Sequence, residues 1–176
     1  FKDPYTATVI GTRNEDLYPL EQMTTAGLEN LNPLRDFGAI RNRELLLNDR
    51  PVPEIFWYND TLQYSQALHR GKAPLLFIIA GTGSSYSSVN CQFLQKVFFR
   101  AGFHVICLSS PTFPNFIVSA SSTQVTGYIP QDVADLYGSM DAIVNKVGRE
   151  RISEYHLTGY SLGGTQSAFL YEMDSR

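Results

Sequence analysis

Several absences narrow what this sequence can be. It holds two cysteines, Cys91 and Cys107, in 176 residues, too few for a disulfide framework and without the paired spacing of a metal site. Cys107 lies inside the apolar run HVICL and reads as a small buried hydrophobe. No more than two basic residues stand in a row and the net charge is −3, so nothing here makes an electrostatic footprint for nucleic acid. No apolar run approaches the roughly 18 residues a membrane-crossing helix needs. Neither a G-x-G-x-x-G pattern nor a phosphate-loop lysine is present, which removes two nucleotide-binding signatures. There is no internal repeat and no low-complexity tract. The chain starts at Phe1 without an initiator Met. A cleaved signal peptide, implying export, and a trimmed cytoplasmic protein both account for that. Asn59-Asp60-Thr61 is formally a glycan acceptor but reads first as a turn.

What is present is a composition of 43% hydrophobic and 18% charged residues, ordinary for one globular domain with a real core. Residues 1–50 are weakly patterned and read as an N-terminal extension wrapped on a core that begins at residue 51. Within them YTATVIGT fits a strand, and LENLNPLRDFGAI has too many turn formers for a helix. From Pro51 on, EIFWY (54–58), TLQYSQALH (61–69) and PLLFIIAG (74–81) suggest a meander of strands. The order then changes. Residues 88–101 place Val89, Phe93, Val97, Phe98 and Ala101 on one predicted helical stripe, with Ser87 or Ser88 as N-cap and Gly102 as stop. FHVICLSS (103–110) predicts a buried strand, and a long loop over roughly 111–129 carries Phe113, Phe116 and Tyr128. A helix opening at Pro130 follows, with Val133, Leu136, Tyr137, Met140, Ile143, Val144 and Val147 on its apolar face and Gly148 at its end. Asp132 and Asp135 read as dipole-favoured residues at its start. EYHLTGY predicts a third strand, and a third helix begins near Gly163. Such strand–helix alternation requires parallel strands covered by helices on both faces.

One stretch carries chemistry. HLTGYSLGGTQSAF (156–169) sets Ser161 between Gly159 and Gly163 where a strand becomes a helix, the G-x-S-x-G pattern of a nucleophile elbow. Lifting a serine hydroxyl clear of a sheet requires a very tight turn with a strained serine backbone. Residues two before and two after then nearly collide, so glycine is expected at both, and Gly164 lets the helix approach the strand. A second stretch agrees. IIAGTGSSYSS follows the third predicted strand, where an acyl-transfer enzyme places a second oxyanion donor. The N–H groups of Leu162 and Thr82 are the candidate pair.

With those residues in view, 51–176 resembles the N-terminal portion of an α/β-hydrolase fold protein, the superfamily of esterases, lipases, thioesterases and some peptidases. PLLFIIAGTGSS resembles its oxyanion strand and loop, AGFHVICLSS the next strand, and YHLTGYSLGG the nucleophile strand and elbow. Ala80 stands where many lipases and esterases carry histidine, a departure from the classical lipases. The resemblance implies a mostly parallel sheet flanked by helices on both faces, truncated after the elbow. It also implies a serine hydrolase acting on a carboxylic ester, thioester or amide through an acyl-enzyme on Ser161. No metal or organic cofactor is implied, and the partner is a small-molecule or acyl substrate. The triad acid and histidine of that superfamily follow the serine, and no histidine follows Ser161. His104 and His156 lie towards the wrong end of their strands, and Glu172 and Asp174 share the helix of the elbow. The expectation is therefore a piece lacking roughly 100–150 further residues, inactive alone and able to associate with the missing C-terminal part. The rival reading is a non-catalytic binding module that keeps the elbow as architecture.

Overall fold

The computed structural model describes residues 39–48, 51–52, 54–55 and 60–175, all within a unit spanning Leu34–Arg176. YTATVIGT, most of LENLNPLRDFGAI, Phe56-Trp57-Tyr58 and Asn59 lie outside the described residues.

Five strands form one sheet: β1 (Ile40–Leu45), β2 (Leu62–Ala67), β3 (Ala73–Ile79), β4 (His104–Leu108) and β5 (Ile152–Gly159), in the spatial order β1-β2-β4-β3-β5. The β1–β2 and β2–β4 pairs are antiparallel, whereas β3 pairs in parallel with both β4 and β5. The expected meander is corrected here: β2 and β3 follow one another in sequence but are not neighbours, because β4 lies between them. The composition explains the choice. PLLFIIA is apolar on both alternating faces, so β3 gains most from a place inside the sheet, and its residues from Leu75 to Ile79 are all buried. Part of the 1–50 region is also sheet: Ile40–Leu45 is the edge strand β1.

Helices cover both faces. On one lies α1 (Val89–Arg100), packed over Leu76, Ile78, Val105 and Cys107. On the other lie α2 (Pro114–Ser119), α3 (Ile129–Val147) and α4 (Leu162–Asp174), around Leu75, Phe77, Ile79, Ile106 and Leu108. The α3 face matches expectation at Val133, Leu136, Met140, Ile143, Val144 and Val147, all buried. Tyr137 is exposed and donates to Asp174. The α1 face does not match. Val89 and Phe93 are 83% and 42% exposed, and the buried positions are Cys91 and Gln95, flanked by Leu94, Phe98 and Phe99. Gln95 is compatible with burial because both ends of its amide are used: it accepts from the Ser65 hydroxyl and donates to the Val105 carbonyl.

Asp132 and Asp135 do more than favour the helix dipole. Asp132 is buried and accepts the Gly127 N–H, and Asp135 accepts both the N–H and the hydroxyl of Ser122, so the two carboxylates tie the preceding loop to α3. The stretch expected as a loop contains α2, which buries Phe116 completely in the core.

Candidate active site

The carboxyl ends of β3, β4 and β5 converge at one pole of the sheet. At the end of β5 the backbone reverses into α4 through Tyr160 and Ser161. Ser161 takes φ +54° and ψ −127°, a left-handed geometry that L side chains rarely adopt, while its side chain stays exposed. Strain of this kind persists only where the surroundings over-determine it, and here they do. Tyr160 N–H donates to the Ile79 carbonyl, Gly163 N–H to Tyr160, and Gly164 N–H to Ser161.

The glycines around the serine differ in what they accommodate. A Cβ on Gly159 would run into the Gly163 carbonyl. On Gly163 it would run into the Ile79 carbonyl and lie 2.7 Å from that of Ala80, so this position is closed by β3 as well as by the turn. On Gly164 it would meet only the Gly159 carbonyl, at 3.3 Å. Gly81 belongs with them, although the motif does not include it. Its Cβ would stand 3.0 Å from both the Ser161 Cβ and Tyr160 Cε2.

That contact brings the β3 loop against the serine. Gly81 to Ser84 is a tight turn closed by Ser84 N–H on the Gly81 carbonyl, with Gly83 at φ +65°, as the third residue of a type II turn requires. Gly83 N–H donates to Thr112 Oγ1 at 2.7 Å, Ser110 N–H to the Ser84 carbonyl, and Tyr86 N–H to Ser109 Oγ. The end of β4 thus holds the loop in place. Thr82 is exposed at the second turn position. Among the described residues, neither its N–H nor that of Leu162 has a hydrogen-bond partner. Thr82 follows Gly81, whose backbone packs against Ser161, and Leu162 follows Ser161 at the positive end of α4.

Tyr160 and Ser88 support the turn from behind. The Tyr160 hydroxyl is 2.8 Å from Ser88 Oγ, and Ser88 also caps α1 by accepting the Cys91 N–H. A hydrogen bond with Cys107 draws the Cys91 thiol down to about 7, against the effect of burial, while burial pushes Cys107 well up. Both thiols are wholly buried.

All three histidines of the chain lie away from this pole. His104 opens β4 in register with Leu75, His156 pairs with Leu76, and His69 follows β2. His104 is buried, accepts the His69 N–H on Nδ1 and meets the Arg151 carbonyl through Nε2. His156 is exposed and pairs with Glu154 at 3.3 Å.

No family model and no curated protein matches the chain by sequence. Solved structures match its fold. Against the carboxylesterase Cest-2923 from Lactobacillus plantarum the TM-score is 0.55 at 17% identity, over 78% of this chain and 47% of that one. Against dienelactone hydrolase from Anabaena variabilis it is 0.54 at 15%, over 75% and 57%. Against a cold-adapted esterase from an Arctic intertidal metagenomic library it is 0.53 at 14%, over 77% and 56%. The chain has the α/β-hydrolase fold, and it spans about half the length of the structures it matches.

Proposed function

We propose that this chain carries the nucleophile and oxyanion-binding portion of a serine hydrolase acting on carboxylic esters, thioesters or amides. Ser161 Oγ attacks the carbonyl carbon. The developing oxyanion accepts the Thr82 and Leu162 N–H groups, which need no reorganisation because neither has another partner. Collapse of the tetrahedral intermediate expels the alcohol, thiol or amine and leaves an acyl group on Ser161, which water then removes. The observation that carries this reading is the exposed serine held at φ +54° in a glycine-walled turn, since such strain is paid for only where it presents a side chain. A serine hydroxyl is a poor nucleophile without a base. His69 and His104 lie towards the far end of the strands and His156 in mid-strand, so none of the three is placed to serve as that base.

A fluorophosphonate probe tests the reading. The whole protein is expected to label at Ser161 and the Ser161→Ala variant not to label. Equal labelling of both, or none of either, would favour a binding module that keeps the turn as architecture.

A further inference from the structure

Beside β1 and the end of β2, a cavity of about 810 Å³ opens. Its lining includes Arg41, Arg43, Arg70 and Arg151, together with His69 and Phe99, and among the described residues that line it there is no carboxylate. The ion pairs found among the described residues, Arg149–Asp141 and His156–Glu154, involve none of these four arginines. In a chain whose net charge is −3, such a gathering gives the concavity a positive potential that attracts anions.

The arrangement is built as well as charged. Arg41 and Arg43 stand two apart on β1 and therefore share a face of the strand, roughly 7 Å apart along it. Arg151 is fixed by donating to the His69 carbonyl at 2.7 Å. The His69 ring lies flat on Phe99, with centroids 4.1 Å apart, and its Nε2 meets the Phe99 carbonyl at 3.0 Å, giving the cavity a rigid apolar floor. Arg41 spends one N–H on the neighbouring Ile40 carbonyl and keeps the rest of its fork. Guanidinium forks match the paired oxygens of phosphate. The volume is that of a small-molecule site, and a concave wall excludes a membrane surface or an extended nucleic-acid backbone.

We propose that this cavity, apart from the Ser161 turn, binds a small soluble diphosphate carrying three or more negative charges. Two sources share that chemistry, the inorganic ion and an organic diphosphate ester whose ring would rest on Phe99.

Titration calorimetry on the full chain at low salt, with inorganic pyrophosphate and separately with ADP, tests this. Pyrophosphate is expected to bind saturably at one site per chain, and Arg41→Gln/Arg43→Gln to weaken it about tenfold or more, as loss of charged hydrogen bonds implies. Both residues are exposed on an edge strand, and circular dichroism of the double variant is expected to match the parent. Binding of pyrophosphate alone assigns the inorganic ion, and binding of ADP in competition with it assigns the ester. Absence of saturable binding by either compound, or equal affinity in the double variant, would overturn the proposal.

Discussion

At the scale of single residues, the glycines of the turn make separable demands. A methyl on Gly163 has backbone of β3 in its way, which cannot swing aside as a side chain does. Gly163→Ala is therefore expected to cost about 3 kcal/mol, as overpacking does. Gly164→Ala meets one carbonyl at 3.3 Å and gains helix propensity, so it should stay within about 1 kcal/mol of the parent. Urea denaturation of the two variants decides whether the positions differ as described; equal losses would mean the helix shifts as a body. His104 makes a second prediction at this scale. Burial is the main cause lowering its pKa, with the charges of Arg151 and His69 adding to it and the bond to the Arg151 carbonyl opposing it. Nδ1 already accepts the His69 N–H, so a second proton has no place. A histidine with a depressed folded pKa binds fewer protons folded than unfolded. Its stabilisation is thus complete above the unfolded value near 6.5 and is lost as pH falls below it. Denaturation midpoints should decline from pH 7 towards pH 5, and the slope should flatten in His104→Gln.

At the scale of elements, α1 shows where a sequence pattern misleads. Val89, Phe93 and Val97 suggested the buried stripe, yet the helix turns Cys91 and Gln95 inward. Counting apolar residues could not find this, because Gln95 is buried through bonds to Ser65 on β2 and the carbonyl of Val105 on β4, strands distant in sequence. Gln95→Ala should therefore cost about 2 kcal/mol or more by taking the side-chain donor from the Val105 carbonyl and leaving a void at a wholly buried position, whereas Val89→Glu should stay within about 0.5 kcal/mol. Thermal and chemical unfolding of the pair checks the orientation, and the reverse order of losses would contradict it. The same distinction runs through the molecule. β3, β4 and the α3 face were legible because their signals are local: continuous apolar runs, and a 3.6-residue repeat ending at Gly148. The insertion of β4 between β2 and β3 was not, since strand order depends on crossovers that no short window contains. At the candidate site the serine and its flanking glycines were legible as a motif. Gly81 and the Thr112 tie were not, because each is a contact between β3 and a residue far along the chain.

At the scale of the whole molecule, the sheet has two chemically different poles. One presents Ser161 and two free amides. The other holds His69, His104, Arg70 and Arg151, with the start of β3 about 20 Å from its end along a strand that rises 3.3 Å per residue. None of the chain's three histidines stands beside Ser161, so hydrolysis of p-nitrophenyl acetate by these 176 residues should match that of Ser161→Ala. Dissolved imidazole is small enough to enter an exposed crevice and take the hydroxyl proton. It should raise the parent rate above that of Ser161→Ala at the same imidazole concentration, with the difference saturating as the site fills. A difference already present without imidazole would place a base inside the chain, contrary to the positions of its histidines. No difference at any concentration would mean that the strained serine does not act as a nucleophile, and the turn would then be architecture alone.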